Sequence, residues 1–205
     1  MEKISDKVIG RLTQYHCILA EYIKMGNDTI TSSSIAQLLK IDDSQVRKDI
    51  SMLNNTGKSR VGYNVLTLKE TIEKTLGFEK PKNAFIIGAG NLGSALAKYN
   101  NFKDYGLNVM ALFDSNKNII GKTINSKPVL DIDELPTYTE KMNVEICILT
   151  VPADFAQEVA NYAVNSKIKY IWNFSPTVLI VPDGVEVWNE NLMGNFLQFS
   201  YKISK

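Results

Sequence analysis

Gly88, Gly90 and Gly93 stand in the run Gly88-Ala89-Gly90-Asn91-Leu92-Gly93, directly after the apolar stretch Ala84–Ile87 and at the head of the helical stretch Leu92–Tyr99. This spacing suits the holding of a dinucleotide by backbone amides. The first glycine permits a tight turn, the second lets N–H groups approach a pyrophosphate, and the third lets the helix pack close to the strand. The next apolar run, Val109–Phe113, ends in Asp114, 24 residues past Gly90. An acid at the tip of that second strand accepts hydrogen bonds from the ribose hydroxyls of NAD and repels the extra phosphate of NADP. The same glycines also fit a ligand-free domain that keeps them for turn geometry alone.

A second group of residues suits nucleic acid. Ser32-Ser33-Ser34 offers an N-cap to a short helix, and Asp42-Asp43-Ser44 offers a cap to another over about Ser44–Leu53. Two short capped helices joined by a tight turn form a helix-turn-helix. The second presents Gln45, Arg47, Lys48 and Ser51 while Val46, Ile50 and Leu53 face inward. A Gly-punctuated basic hairpin, Gly57-Lys58-Ser59-Arg60-Val61-Gly62-Tyr63-Asn64-Val65, reads as a wing. Arg47, Lys48, Lys58 and Arg60 fall within fourteen residues alongside one acid, Asp49. Their solvation as plain surface charge is the competing reading.

Catalytic chemistry finds little to work with. The single histidine, His16, lies on the first helix, far along the chain from the glycine loop. Tyr99 and Lys103 have the spacing of a reductase pair, but they follow the first nucleotide-side helix. Cys17 and Cys147 are distant in sequence and flanked by apolar residues, so neither a disulfide nor a metal site is expected. The expectation is binding without turnover, with no catalytic and no metal-ligating residues.

The elements that must position these groups follow from periodicity. Ile4, Val8, Leu12, Tyr15, Leu19, Tyr22 and Ile23 make one helical stripe that stops at Gly26, and a helix over Thr67–Leu76 stops at Gly77. Glu79-Lys80-Pro81-Lys82 reads as a domain boundary. Beyond it, apolar runs at Ala84–Ile87, Val109–Phe113, Val144–Val151, Tyr170–Phe174, Val178–Val181 and Val185–Trp188 are interleaved with the helical stretches Leu92–Tyr99 and Phe155–Asn165. That is the pattern of a parallel sheet covered on both faces. The expected class is α/β, an N-terminal winged helix-turn-helix followed by a doubly wound Rossmann sheet. Residues 1–80 form the first domain, 81–188 the second, and 189–205 a C-terminal helix whose Phe196, Leu197, Phe199, Tyr201 and Ile203 need a surface to bury against. With 205 residues, 44% hydrophobic and 22% charged, net charge +1 and no long apolar segment, the chain reads as cytoplasmic, with no membrane partner.

The series Gln45-Val46-Arg47-Lys48-Asp49-Ile50-Ser51, Gly57-Lys58, Val61-Gly62-Tyr63, Gly88 through Gly93, Val151-Pro152-Ala153 and Asn173-Phe174-Ser175-Pro176 resembles the Rex family of redox-sensing repressors over almost the whole chain. The resemblance implies a homodimer that represses transcription by binding double-stranded DNA at an inverted-repeat operator and releases it when NADH is bound, with the C-terminal helix swapped between subunits. It also implies DNA contacts from Gln45, Arg47, Lys48, Ser51, Lys58 and Tyr63, with Arg60 in the same basic wing. For NAD(H) it implies contacts from Gly88, Ala89, Gly90, Asn91, Leu92, Gly93, Asp114, Val151, Pro152, Asn173, Phe174 and Ser175. The chain departs from the family pattern in Met52-Leu53-Asn54, in Lys58-Ser59-Arg60, and at Cys17 and Asn191-Leu192, where the family carries an interdomain Arg and an Asp-aromatic pair. These departures keep open a ligand-insensitive or retuned dimerisation domain, and Tyr99 with Lys103 keeps open a small NAD-dependent reductase.

Overall fold

The computed structural model describes residues 4–53 and 61–204, and the chain divides into two units, 1–80 and 81–205. In the first unit, α1 (Asp6–Lys24) is followed by β1 (Thr29–Ile30), α2 (Ser32–Leu39), α3 (Asp43–Ser51), β2 (Tyr63–Asn64) and α4 (Val65–Leu76). Leu12, Tyr15 and Leu19 of α1, Ile35 of α2, Val46 and Ile50 of α3, and Leu68 and Ile72 of α4 are all fully buried in one cluster. Burying that many large side chains, at about 1.5–3 kcal/mol each, offsets the ordering of short helices that are marginal alone.

The caps differ in detail from expectation. Thr31, rather than the serine run, caps α2, because its backbone is extended and its Oγ1 accepts from Ser34 N–H at 3.1 Å. Asp42 caps α3 by accepting from Ser44 N–H at 2.7 Å. Asn64 caps α4 by accepting from Thr67 N–H at 2.9 Å, so this helix starts two residues before Thr67. Of the expected wing, Lys58 and Arg60 lie outside the described residues. Its return, β2, pairs antiparallel with β1, setting Tyr63 opposite Ile30.

The second unit carries β3 (Lys82–Ile87), α5 (Asn91–Lys98), β4 (Leu107–Asp114), β5 (Thr123–Ile124), β6 (Lys127–Asp131), α6 (Leu135–Met142), β7 (Ile146–Leu149), α7 (Ala153–Asn165), β8 (Tyr170–Asn173), β9 (Glu186–Asn189) and α8 (Leu192–Ile203). The sheet order is β5-β6-β4-β3-β7-β8-β9, parallel throughout except for β5 against β6. Strand alternation feeds two cores. Phe85, Ile87, Phe113, Cys147 and Leu149 pack under Ala156, Ala160 and Ala163 of α7. Ile86, Leu112 and Ile148 face the other way, toward Ala97 of α5. The chain reverses direction across the sheet between β3 and β7, the switch point at which such sheets bind ligands.

Two features depart from the hydrophobic pattern. That pattern names no element between Asp114 and Val144, where β5, β6 and α6 lie. Conversely, Val178–Val181, bracketed by Pro176 and Pro182, forms no strand. Leu179 turns inward while Val178 and Ile180 face solvent. Gln157 stands in for a neighbouring strand, donating to Ile180 O at 2.8 Å and accepting from Ile180 N–H at 2.9 Å. The apolar residues of α8, including Phe196, Leu197, Phe199 and Tyr201, are exposed in the single chain.

Candidate nucleotide cleft and nucleic-acid face

At the end of β3 the chain turns through Gly88, whose φ of +102° strains any residue with a side chain. A Cβ on Gly93 would lie 1.9 Å from Gly88 O, so only glycine lets the first turn of α5 rest on this loop. A Cβ on Gly90 would meet nothing within 4 Å, which leaves that backbone open to a ligand. Two groups lock the turn. Asp114 Oδ2 accepts from Ala89 N–H at 2.7 Å while its Oδ1 accepts from Asn116 N–H at 2.8 Å. Thr150, at the end of β7, donates to Gly88 O at 2.8 Å. Thr150 is the residue that motif reading passed over; its signal was a hydroxyl closing an otherwise apolar strand.

Above this loop a cleft of about 770 Å³ opens at the carboxyl ends of β3, β4 and β7, a size suited to a nucleotide moiety. Gly88, Gly90, Asp114, Val151 and Pro152 line it together with Thr150 and with Phe155 and Tyr162 of α7. Asn91 and Leu92 stand exposed on the first turn of α5, and Ala89 and Gly93 are buried beneath the loop. Asn173 and Ser175 are buried and fully engaged. Asn173 Nδ2 donates to Thr177 O and Asn189 Oδ1, its Oδ1 accepts from Ser175 N–H, and Ser175 Oγ donates to Val151 O. They brace the groove from behind. Phe174 packs on Trp172 at 5.0 Å, Trp172 meets Phe102 at 5.8 Å, and Phe102 meets Tyr99 at 5.0 Å. Phe102, Trp172 and Phe174 pack in the core on the α5 side of the sheet, whereas α7 borders the cleft, and none of these four rings lines it. The Trp172 indole donates to Glu190 at 2.8 Å, two residues before α8.

The outer face of α3 exposes Arg47, Lys48 and Ser51. Arg47 pairs with Asp43 at 3.0 Å, an acid one helical turn earlier and outside the basic stretch that runs from Arg47 to Arg60 in the sequence. Ser51 Oγ donates back to Lys48 O. Gln45 is half-buried and donates to Asp49 at 2.9 Å. Asp49 itself is 1% exposed and accepts from Arg11 Nε and Nη2 at 2.6 and 2.8 Å and from Tyr15 Oη at 2.8 Å. Burial works against the Asp49 charge, but the bonds from Arg11, Tyr15 and Gln45 more than offset it and hold its carboxyl below the usual range. Arg11 and Tyr15 were not legible as site residues, since neither faces outward. This network fixes α3 against α1 from behind and leaves its front exposed.

His16 bridges α1 and α4, with Nε2 2.9 Å from Glu73 and its ring edge-on to Phe78. The Cys147 thiol, buried in the sheet, is pushed up to about 12 and is chemically quiet. Among the described residues no helix is long and apolar enough to cross a membrane.

Residues 3–51 match the family model described as "Putative DNA-binding protein N-terminus", and residues 79–177 match the CoA binding domain. The chain is 43% identical to the redox-sensing transcriptional repressor Rex of Clostridium botulinum over 204 residues, covering 100% of this chain and 97% of that one. It is similar to solved structures of RSP, a Rex-family repressor. For RSP in complex with β-NAD+ and operator DNA, identity is 36%, coverage is 99% of this chain and 94% of that one, and the TM-score is 0.91. For RSP with β-NADH, the values are 37%, 99%, 95% and 0.87. Likeness of this extent, along the full length and in both units, places the chain in the Rex family.

Proposed function

We propose that this chain is a transcriptional repressor that binds operator DNA as a homodimer and lets go when NADH occupies its cleft, so that it reports the NADH/NAD+ ratio. The observation that carries this reading is that one chain joins a helix pinned for groove reading to a glycine loop clasped by Asp114. Residues 1–80 read DNA, residues 81–188 hold the nucleotide, and residues 189–205 dimerise. The residues fit NAD(H): Gly90 leaves room for a pyrophosphate at the head of α5, and Asp114 keeps unused lone pairs for ribose hydroxyls. Asn91, Leu92, Val151 and Pro152 flank that place, and Phe174 is assigned to the remainder from the family resemblance. The bound group supplies a nicotinamide ring whose charge differs between its two redox states.

Arg47, Lys48 and Ser51 face the DNA, with Lys58, Arg60 and Tyr63 in the wing. Gln45 serves by orienting Asp49 as much as by contact. The exposed apolar side of α8 supports a dimer, since soluble monomers rarely expose so continuous a patch. The chain acts by binding, without turnover, in the cytoplasm where DNA and nicotinamide nucleotides meet. A gel shift with duplexes selected from a random pool, with NAD+ or NADH added, tests this. Loss of the complex with NADH alone is expected. Retention at saturating NADH overturns the sensor half and favours the second reading, a repressor whose Rossmann domain only dimerises. That reading draws on Asn191, whose side chain caps α8 by accepting from Gly194 N–H.

A further inference from the structure

Asp43 begins α3 and its carboxylate pairs with Arg47 at 3.0 Å, four residues on and in the favourable order, acid before base. Resting on the DNA-binding reading above, we propose that Asp43 is a specificity-determining positioning residue, which holds Arg47 off the phosphates and presents its guanidinium to a base edge.

Three observations carry this. The Arg47 side chain is 61% exposed, yet one terminal nitrogen is engaged by Asp43, so the guanidinium is steered while most of it still faces solvent. A guanidinium restrained in this way loses less conformational freedom on meeting the O6 and N7 of guanine, the pairing that gives arginine its base discrimination. Second, Tyr63 of β2 feels both charges: burial raises its phenol above the ordinary value, Arg47 draws it back and Asp43 pushes it up. Third, the charge on this helix is balanced. Asp49 is taken up by Arg11, which leaves Asp42 and Asp43 against Arg47 and Lys48. A helix that relied on phosphate attraction would carry a clear positive excess. Here the acids suppress sequence-independent attraction, so discrimination has to come from contacts to bases.

The test uses the full-length protein, a randomised duplex pool and the variants Asp43→Asn, Asp43→Ser and Arg47→Ala. Asp42 remains as the cap in all three, and serine suits a first helical turn, so Asp43→Ser stands in if Asp43→Asn folds poorly. Arg47→Ala identifies the base position that Arg47 reads. At that position the Asp43 variants are expected to lose preference by about fivefold or more. On random duplex they are expected to bind more tightly, with a salt slope steeper by about one, as freed Arg47 finds a phosphate. Unchanged preference at that position, with an unchanged salt slope, overturns the proposal. A wild-type protein that enriches no sequence removes the DNA-binding reading itself, and this proposal with it.

Discussion

Replacing Arg11 by alanine removes the two charged hydrogen bonds that Asp49 receives at 2.6 and 2.8 Å. The carboxylate, 1% exposed, is then left with Tyr15 and Gln45. Breaking a buried ion pair from one side costs about 3–5 kcal/mol. Arg11 is itself 23% exposed on its side chain, so water refills part of the gap, and the low end, about 3 kcal/mol, is expected. For a unit of this size that is a fall in Tm of roughly 12–24 °C. Both tryptophans, Trp172 and Trp188, lie in residues 81–205, so fluorescence follows the second unit alone while far-ultraviolet circular dichroism follows both. Arg11→Ala should lower a dichroism transition and leave the tryptophan transition in place. The double variant Arg11→Met, Asp49→Leu, which removes both charges, should melt above the single one. Equal shifts by both probes, or a double variant no better than the single, would refute the assignment of this network to the α1–α3 contact. The pH dependence has a fixed sign. Asp49 is held below its ordinary value when folded, so its contribution is present above about pH 4 and is lost as pH falls through the folded value.

Gly93→Ala should abolish NADH binding measured by nucleotide fluorescence and lower the tryptophan melting transition, because its Cβ would fall on Gly88 O; normal binding would show that α5 can move away. Asp114→Ala should weaken NADH binding by about tenfold and narrow the preference over NADPH, through lost ribose contacts and a loosened Ala89 amide; titrating both nucleotides checks it. Phe196→Glu on α8 should shift sedimentation from dimer toward monomer, since it charges the centre of an exposed apolar face.

How far such features were legible depends on how local their causes are. The strand–glycine–helix run and the acid at the end of β4 were readable because each obeys a spacing set by the backbone over a few residues. Asp49 shows the limit. Its place beside Val46, Ile50 and Leu53 on the inner face announces a buried partner, but Arg11 is 38 residues away and no periodicity names it. Val178–Val181 misled for a related reason: apolar composition alone cannot distinguish a strand from a loop bridged by a glutamine on α7. Asn173 and Ser175 belong to the groove's frame because the carboxyl ends of β7 and β8 converge, a tertiary fact.

The layout of the cleft bears on how redox state can be sensed at all. A ligand shifts an equilibrium only through contacts that differ between the two states, however tightly it binds otherwise. The clasp of Asp114 on Ala89 and the lock of Thr150 on Gly88 are made within the protein, and both redox forms of NAD offer that end the same pyrophosphate and ribose. Affinity can be generated there, but discrimination between the two forms cannot. It has to arise from contacts beyond this clasp, with the nicotinamide ring itself. Outside the clasp, the Trp172 indole is tied to Glu190 just ahead of α8. A nicotinamide ring lying against Trp172 would be one hydrogen bond from the segment that carries the exposed apolar helix.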